Sequence, residues 1–216
     1  MNLAQELTNL RIQAQTHLSA DKLTAINQAT EELRQSGIVN RSLKVGDRVE
    51  NFALPNAVGN TIELKQLLAI GAVVTSFYRG TWCRFCNQEL RALQEVLPEI
   101  QAQSASLIAI SPQTPDNSLL TSQNNSLTFE VLSDVGNHVA HKFGIVYQLP
   151  ESMRSVLQDF GVDLPAYNGN KTFELPIPAT YVIAPNGKVA YAKVEPDFTK
   201  RLEPTEIVTA LQTLRY

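Results

Sequence analysis

Apolar positions along the chain recur with two different periods, and the switches between them mark out the elements. In residues 1–37, Leu3, Leu7, Leu10 and Ala14 form a narrow stripe at heptad-like spacing, which predicts an amphipathic helix. A second helix is expected behind it, with Leu23, Ile26 and Leu33 on one face. Ser19 or Asp21 would cap it and Gly37 would end it. The first stripe needs a cover. Packing on the main domain is one reading, and a homodimer contact is the other. Two heptads are too few for a coiled coil.

Residues 38–51 form a connector, and 51–64 carry a strand–turn–strand pattern. Asn56 to Asn60 supply the turn, with Gly59 free to take positive φ. A short helix at 65–69 stops at Gly71, and 72–78 are a buried strand. The following helix runs from about 83 to 103. Cys86, Leu90, Leu93, Leu97 and Ile100 face one way, whereas Glu89, Arg91, Glu95 and Glu99 fall elsewhere. Pro98 sits inside this pattern and predicts a kink. A strand at 107–110, a helix around 116–124, a strand at 128–132 and a helix at 136–143 continue the alternation. Such alternation favours parallel strands joined by crossover helices.

Residues 147–176 read as an irregular insertion, with a helix at 151–160 and a turn-rich Tyr167-Asn168-Gly169-Asn170. Runs at 177–183 and 189–194 flank an Asn186-Gly187 turn, which signals a hairpin. A last helix at 205–214 places Ile207, Val208, Leu211 and Leu214 on one side. The expected class is α/β: a mixed central sheet flanked by helices, preceded by an N-terminal β-hairpin and a helical arm. The division expected is an arm at 1–44 and a main domain at 45–216.

Charge removes some function classes. There are 18 basic and 21 acidic residues, a net charge of −3, and no basic run. Nucleic acid and anionic membrane both demand a basic face, so neither is expected as a main partner. The N-terminal residues lack the charged and apolar regions of a signal peptide. No apolar run approaches the ~20 residues of a membrane span. A soluble, cytoplasmic protein is the expectation. In that compartment paired cysteines are more often redox or metal groups than structural disulfides.

The only two cysteines stand in Phe77-Tyr78-Arg79-Gly80-Thr81-Trp82-Cys83-Arg84-Phe85-Cys86, where the buried strand meets the helix. A helix start offers unpaired N–H groups and the positive end of the dipole, and both favour thiolate. A free thiol titrates at about 8.5, and such settings lower it to roughly 3.5–7.5. Arg79 and Arg84 are near in sequence. The two-residue spacing lets the sulfurs cycle between dithiol and disulfide without refolding. Two rival readings remain. A zinc site needs four ligands. Only His17, His138 and His141 are further candidates, and His138 and His141 read more simply as exposed helix residues. An inert structural pair is the other rival. No cofactor or metal is expected.

Trp82-Cys83-x-x-Cys86 after a strand, with Ile177-Pro178-Ala179-Thr180-Tyr181 further on, resembles the thioredoxin fold. In that fold the proline matched by Pro178 is cis and abuts the dithiol. Other residues are similar to peroxiredoxins of the alkyl hydroperoxide reductase/thiol-specific antioxidant type. These are Gly46-Asp47-x-x-x-Asn51-Phe52-x-Leu54-Pro55, Phe77-Tyr78, and Leu132-Ser133-Asp134 through Phe143-Gly144. The resemblance covers about 45–215 and leaves the arm outside.

The resemblance implies an antioxidant enzyme that reduces hydrogen peroxide or organic hydroperoxides through a Cys83/Cys86 dithiol–disulfide cycle. A thiol donor such as the thioredoxin or glutathione system would regenerate it. Gapless superposition on Phe77-Tyr78 puts the family's proline on Arg79, its threonine on Cys83 and its peroxidatic cysteine on Cys86. The family's activating arginine falls near Pro178 and is missing; Arg79 is the candidate substitute.

As a peroxidase, Cys86 would attack the peroxide and Cys83 would resolve. As a thioredoxin-like protein disulfide reductase, Cys83 would attack first. A non-enzymatic redox sensor is a third reading. Arg79, Trp82 and Pro178 are the expected supports of the site. The 147–176 insertion is placed to act as a lid.

Overall fold

The computed structural model describes residues 2–214. The arm is helical as its stripe predicts. α1 (Leu3–His17) is capped by Asn2, and α2 (Ala20–Gln35) by Ser19, whose hydroxyl accepts from Lys22 N–H. Gly37, at φ +73°, turns the chain into one further short helix, α3 (Ile38–Arg41). Leu3 and Leu7 are buried, and Glu6 bonds Gln88 of the main domain. The N–H groups of Leu3 and Ala4 donate to Glu203, which ties the free end of α1 to the C-terminal segment. Leu3 and Leu7 of the stripe are therefore covered within their own chain, while Leu10 and Ala14 are half-buried.

β1 (Ala53–Pro55) and β2 (Thr61–Glu63) pair antiparallel, as the 51–64 pattern predicts. After α4 (Leu64–Leu68) comes β3 (Val73–Phe77), buried along its whole length. The single kinked helix expected from 83 to 103 is in fact two. α5 (Arg84–Glu95) ends at Val96, and α6 (Leu97–Ala102) begins there, with Pro98 in its first turn. A proline lacks the N–H that a helix interior needs, but the first turn leaves that donor unused. The chain accommodates Pro98 by restarting rather than bending.

β4 (Ser106–Ser111), α7 (Pro115–Asn124), β5 (Glu130–Ser133) and α8 (His138–Lys142) complete the β-α-β-α run. The segment read as an irregular insertion is more ordered than expected. It holds β6 (Val146–Gln148), α9 (Glu151–Asp159), α10 (Leu164–Asn168) and β7 (Glu174–Pro176), and β6 pairs antiparallel with β7. Strands this short carry too little alternation to be seen as a period. β8 (Ala179–Ile183), β9 (Val189–Val194) and α11 (Pro204–Thr213) follow as predicted.

The main sheet has the order β5-β4-β3-β8-β9. β3 is parallel to β4, β4 to β5, and β3 is antiparallel to β8. The two faces bury separate clusters. One holds Tyr78, Cys86, Leu90 and Ile207, and the other holds Phe77, Phe143 and Tyr181. Burial on both faces explains why β3 and β8 are mainly apolar without alternating, with only Thr75, Ser76 and Thr180 between the apolar residues. The central strand thus delivers the loop after Phe77 to one rigid edge of the sheet.

Candidate active site: a buried dithiol under an arm and a lid

The loop between β3 and α5 is held from several sides. Gly80 has φ +150°, and a Cβ there would meet Trp82 Nε1 at 2.4 Å and Gln113 Oε1 at 2.9 Å. Glycine is required at that point. Buried Gln113 accepts from Thr81 N–H at 2.7 Å, and Asn87 donates to the Thr81 carbonyl at 2.7 Å. Cys83 is the N-cap of α5, and its N–H donates to the Gly80 carbonyl at 3.0 Å. Cys86 lies one turn along, fully buried, while Cys83 keeps 4% exposure. Both are free thiols.

Arg79 is 2% exposed. Its guanidinium lies 4.8 Å from the Trp82 ring centre and 4.4 Å from that of Phe198. Aromatic faces on both sides hold a cation in a place that water scarcely reaches. A second guanidinium comes from far along the chain. Arg201 Nη2 donates to Cys86 Sγ at 3.2 Å, and its Nε donates to Glu89 Oε2 at 2.5 Å.

These charges divide the two thiols. Burial pushes Cys83 up, but its hydrogen bond with Cys86 and the charges of Arg79 and Arg201 outweigh that and bring it down to about 6. Burial, the bond to Cys83 and the Cys83 charge all push Cys86 well above an ordinary thiol, with Arg201 and Arg79 opposing. The two shifts run in opposite directions, so the thiolate form is favoured at Cys83 and the thiol form at Cys86. Burial raises Glu89 to about 7 although Arg201 pulls it down.

Cys83 forms part of the wall of a cavity of about 770 Å³, which Cys86 does not reach. The arm and the 147–176 segment enclose it. Ile26 and Ala29 of α2 pack with Leu149, Met153 and Leu157 around Trp82. Lys22 pairs with Asp159 at 2.8 Å at the junction of arm and lid. The insertion does cover the dithiol, and the arm completes the cover.

Of the expected supports, Arg79 and Trp82 line this cavity with Cys83. Pro178 is a correction. There is no cis peptide bond among the described residues, so Ile177–Pro178 is trans. The chain runs extended through it between two pairings: Ile177 N–H donates to the Ile145 carbonyl, and the Pro178 carbonyl accepts from Glu195 N–H. Pro178 is not among the residues that line the cavity. The missing arginine is a second correction. Arg201 brings a guanidinium to Cys86 from the segment after β9, where a gapless superposition had no reason to look. Arg84 is exposed, and the cations that act on Cys83 are Arg79 and Arg201.

Glu89 is a third correction. Helical periodicity put it off the buried face, yet it is 3% exposed. Its position one turn beyond Cys86 was the only signal in the sequence. Gln113 and Phe198 had none. His17 lines the outer part of the cavity, whereas His141 pairs with Glu174 at 3.3 Å on α8. Among the described residues, no three His, Cys, Asp or Glu side chains are grouped to hold a metal ion. No helix among them is long and apolar enough to cross a membrane.

A mixed sheet with a dithiol at the junction of its central strand and the next helix defines a thioredoxin-fold protein of peroxiredoxin-like type. Residues 45–192 match the AhpC/TSA family, and the chain belongs to that family. It is similar in structure to the peroxidoxin BcpB of Mycobacterium tuberculosis, with a TM-score of 0.64 and 22% identity over 81% of this chain and 99% of that one. In sequence it is 29% identical over 104 residues to the thiol-disulfide oxidoreductase ResA of Bacillus thuringiensis, covering 48% of this chain and 59% of that protein. It is also 29% identical over 104 residues to the putative peroxiredoxin bcp of Buchnera aphidicola, covering 48% of this chain and 65% of that protein. The matched region thus spans less than two thirds of these curated relatives.

Proposed function

We propose that the protein is a thiol peroxidase that reduces hydroperoxides through a Cys83/Cys86 dithiol–disulfide cycle, with Cys83 as the attacking thiol. The observation that carries this reading is that Cys83, with Arg79 beside it, reaches the wall of a covered cavity that Cys86 does not. The Cys83 thiolate attacks the terminal oxygen of R–O–O–H. An S–O bond forms, the O–O bond breaks, and the leaving alkoxide takes a proton to become R–OH. Arg79 is close enough to lower Cys83, and its charge stabilises the developing oxyanion in the same low-dielectric setting. Cys83 becomes a sulfenic acid.

Resolution follows from the same electrostatics. The Cys83 charge is one of the causes that hold Cys86 protonated. Oxidation removes that charge, so Cys86 becomes easier to ionise just when it is needed. Arg201 stabilises its thiolate. Attack of Cys86 on the sulfenic sulfur forms the disulfide and releases water. A cellular thiol donor, one dithiol of the thioredoxin type or two monothiols of the glutathione type, then returns both electrons, which fits a cytoplasmic setting.

A disulfide reductase acting on proteins would use the same order of thiols, and the similarity to ResA favours it. The covered cavity disfavours it, because a protein disulfide must reach a sulfur that is only 4% exposed. The experiment follows thiol loss in reduced protein given one equivalent of peroxide, for wild type, Cys83→Ser and Cys86→Ser. A sulfenic acid trapped on Cys83 in Cys86→Ser is expected. Peroxide consumption by Cys83→Ser at the wild-type rate would overturn the assignment. Fast insulin reduction without peroxide consumption would favour the reductase.

A further inference from the structure

We propose that α2 is a displaceable gate, and that the surface it covers around Cys83 is where a protein dithiol docks to reduce the Cys83–Cys86 disulfide. This rests on the dithiol–disulfide cycle proposed above and assigns the reducing half of that cycle to an open form of the protein.

The need for an opening comes first. Peroxide or a small thiol fits a cavity of about 770 Å³, and a protein does not. Thiol–disulfide exchange requires the attacking sulfur to reach one end of the S–S bond. Cys86 is fully buried and Cys83 is 4% exposed, so Cys83 is the end to be attacked. Helices α2 and α9 both line the cavity that leads to it. The donor thiolate attacks Cys83 Sγ, the bond to Cys86 breaks, and Cys86 leaves as a thiolate beside Arg201. The donor's second thiol then displaces Cys83, and the donor departs as its own disulfide. Its two electrons and two protons pass to the released pair. A peroxidase needs the open form in this half of the cycle alone, whereas a reductase of protein disulfides would need it in both.

The construction of α2 comes second. None of its residues is buried. The elements on either side are anchored, α1 by Leu3 and Leu7 and α3 by Ile38. Breaks separate α2 from both: extended backbone at Leu18 and Ser19, and Gly37 at φ +73°. Gln28 bonds Glu32, and Arg34 and Gln35 bond Glu31, so these polar side chains are satisfied within the helix. Lys22 with Asp159, at 2.8 Å, is the one ion pair between α2 and the lid among the described residues. The Lys22 ammonium also lies 5.4 Å from the Phe160 ring centre. Ile26 and Ala29 add apolar contact with the lid, and Leu33 with the main domain. A helix with no buried residue, breaks at both ends and one solvent-accessible ion pair to the lid opens at lower cost than the core around it.

The test uses the full chain with its disulfide formed by diamide, so that it does not depend on peroxide. Reduction is stopped with acid at set times, free thiols are alkylated, and the remaining disulfide is read by mass. Lys22→Glu and Asp159→Lys each place like charges across the junction. Each should speed reduction by thioredoxin roughly two- to fivefold, the scale of an exposed ion pair. The double variant restores opposite charges and should return to the wild-type rate. Reduction by dithiothreitol, and oxidation by peroxide, should be unchanged in all three variants. The two single variants alter surface charge in opposite senses, so an effect on donor docking alone would move their rates in opposite directions.

Thioredoxin rates that stay at the wild-type value in both single variants, or that move in opposite directions, would overturn the proposal. So would an equal rise with dithiothreitol. Failure of the wild type to consume peroxide would sink the peroxidase reading and leave the gate standing.

Discussion

Arg201 Nη2 sits 3.2 Å from Cys86 Sγ, although the two residues are 115 positions apart in sequence. The same guanidinium is paired to Glu89, with both side chains almost wholly buried. The second thiol of the motif is therefore tuned by a residue from the opposite end of the domain.

That pairing makes Arg201→Met costly in two separable ways. Glu89 would be left as a buried carboxylate without its cation, a loss of about 3–5 kcal/mol. Urea unfolding at pH 8 reads this directly, and adding Glu89→Gln should recover most of it. Cys86 would also lose its nearest cation. Disulfide formation after peroxide addition should slow by roughly threefold for each pKa unit Cys86 gains, because the loss of thiolate is partly offset by the greater nucleophilicity of a more basic sulfur. A Cys83 sulfenic acid that disappears at the wild-type rate in Arg201→Met would show that Arg201 does not assist resolution.

The pH dependence of the reduced protein follows from Cys83. Its folded pKa of about 6 lies below that of a free thiol. The folded state holds the thiolate, so this contribution to stability is full above pH 9, shrinks as pH falls through 6, and is then gone. Single-hit alkylation by iodoacetamide should rise with a midpoint near 6, and Cys86→Ala should move the midpoint upward. A wild-type midpoint near that of a free thiol would refute the assignment.

Glu89 runs the other way. Its folded pKa is raised from 4.5 to about 7, so its proton is held more tightly in the native state. The stabilisation it gives as a neutral acid is full below pH 4.5 and is lost as pH rises through 7. Urea midpoints of the wild type should carry this downward trend over that window. Glu89→Gln should remove it, and an identical trend in the variant would exclude Glu89 as its source.

Gly80→Ala tests the loop itself. Its new Cβ would collide with Trp82 Nε1 and with Gln113 Oε1, the acceptor for Thr81 N–H. Displacement of both should shift Trp82 emission and lower the peroxide rate by at least tenfold, since small misplacements of reacting groups carry such penalties. Wild-type emission and rate in Gly80→Ala would mean that the loop adapts freely.

The arrangement of β3, the dithiol and α5 was legible because each part is local. An apolar run followed by Cys-x-x-Cys and a helical period places two thiols at a strand–helix junction. The arm helices, the two hairpins and the β-α-β-α run were legible for the same reason. α5 and α6 were merged because periodicity continues across Val96, and only backbone dihedrals reveal the restart. The lid strands β6 and β7 were missed because three residues hold hardly one alternation.

By itself, then, the sequence determined most of the elements, the α/β class and the place of the dithiol at a strand–helix junction, because these depend on residues within a turn or a strand of one another. Which sulfur is acidic was decided only by tertiary structure. It depends on Arg79 held between Trp82 and Phe198, and on Arg201 reaching Cys86 and Glu89. Electrostatic interaction depends on distance in space and on burial. A chain that brings residue 201 beside residue 86 leaves no trace of that proximity in spacing or period.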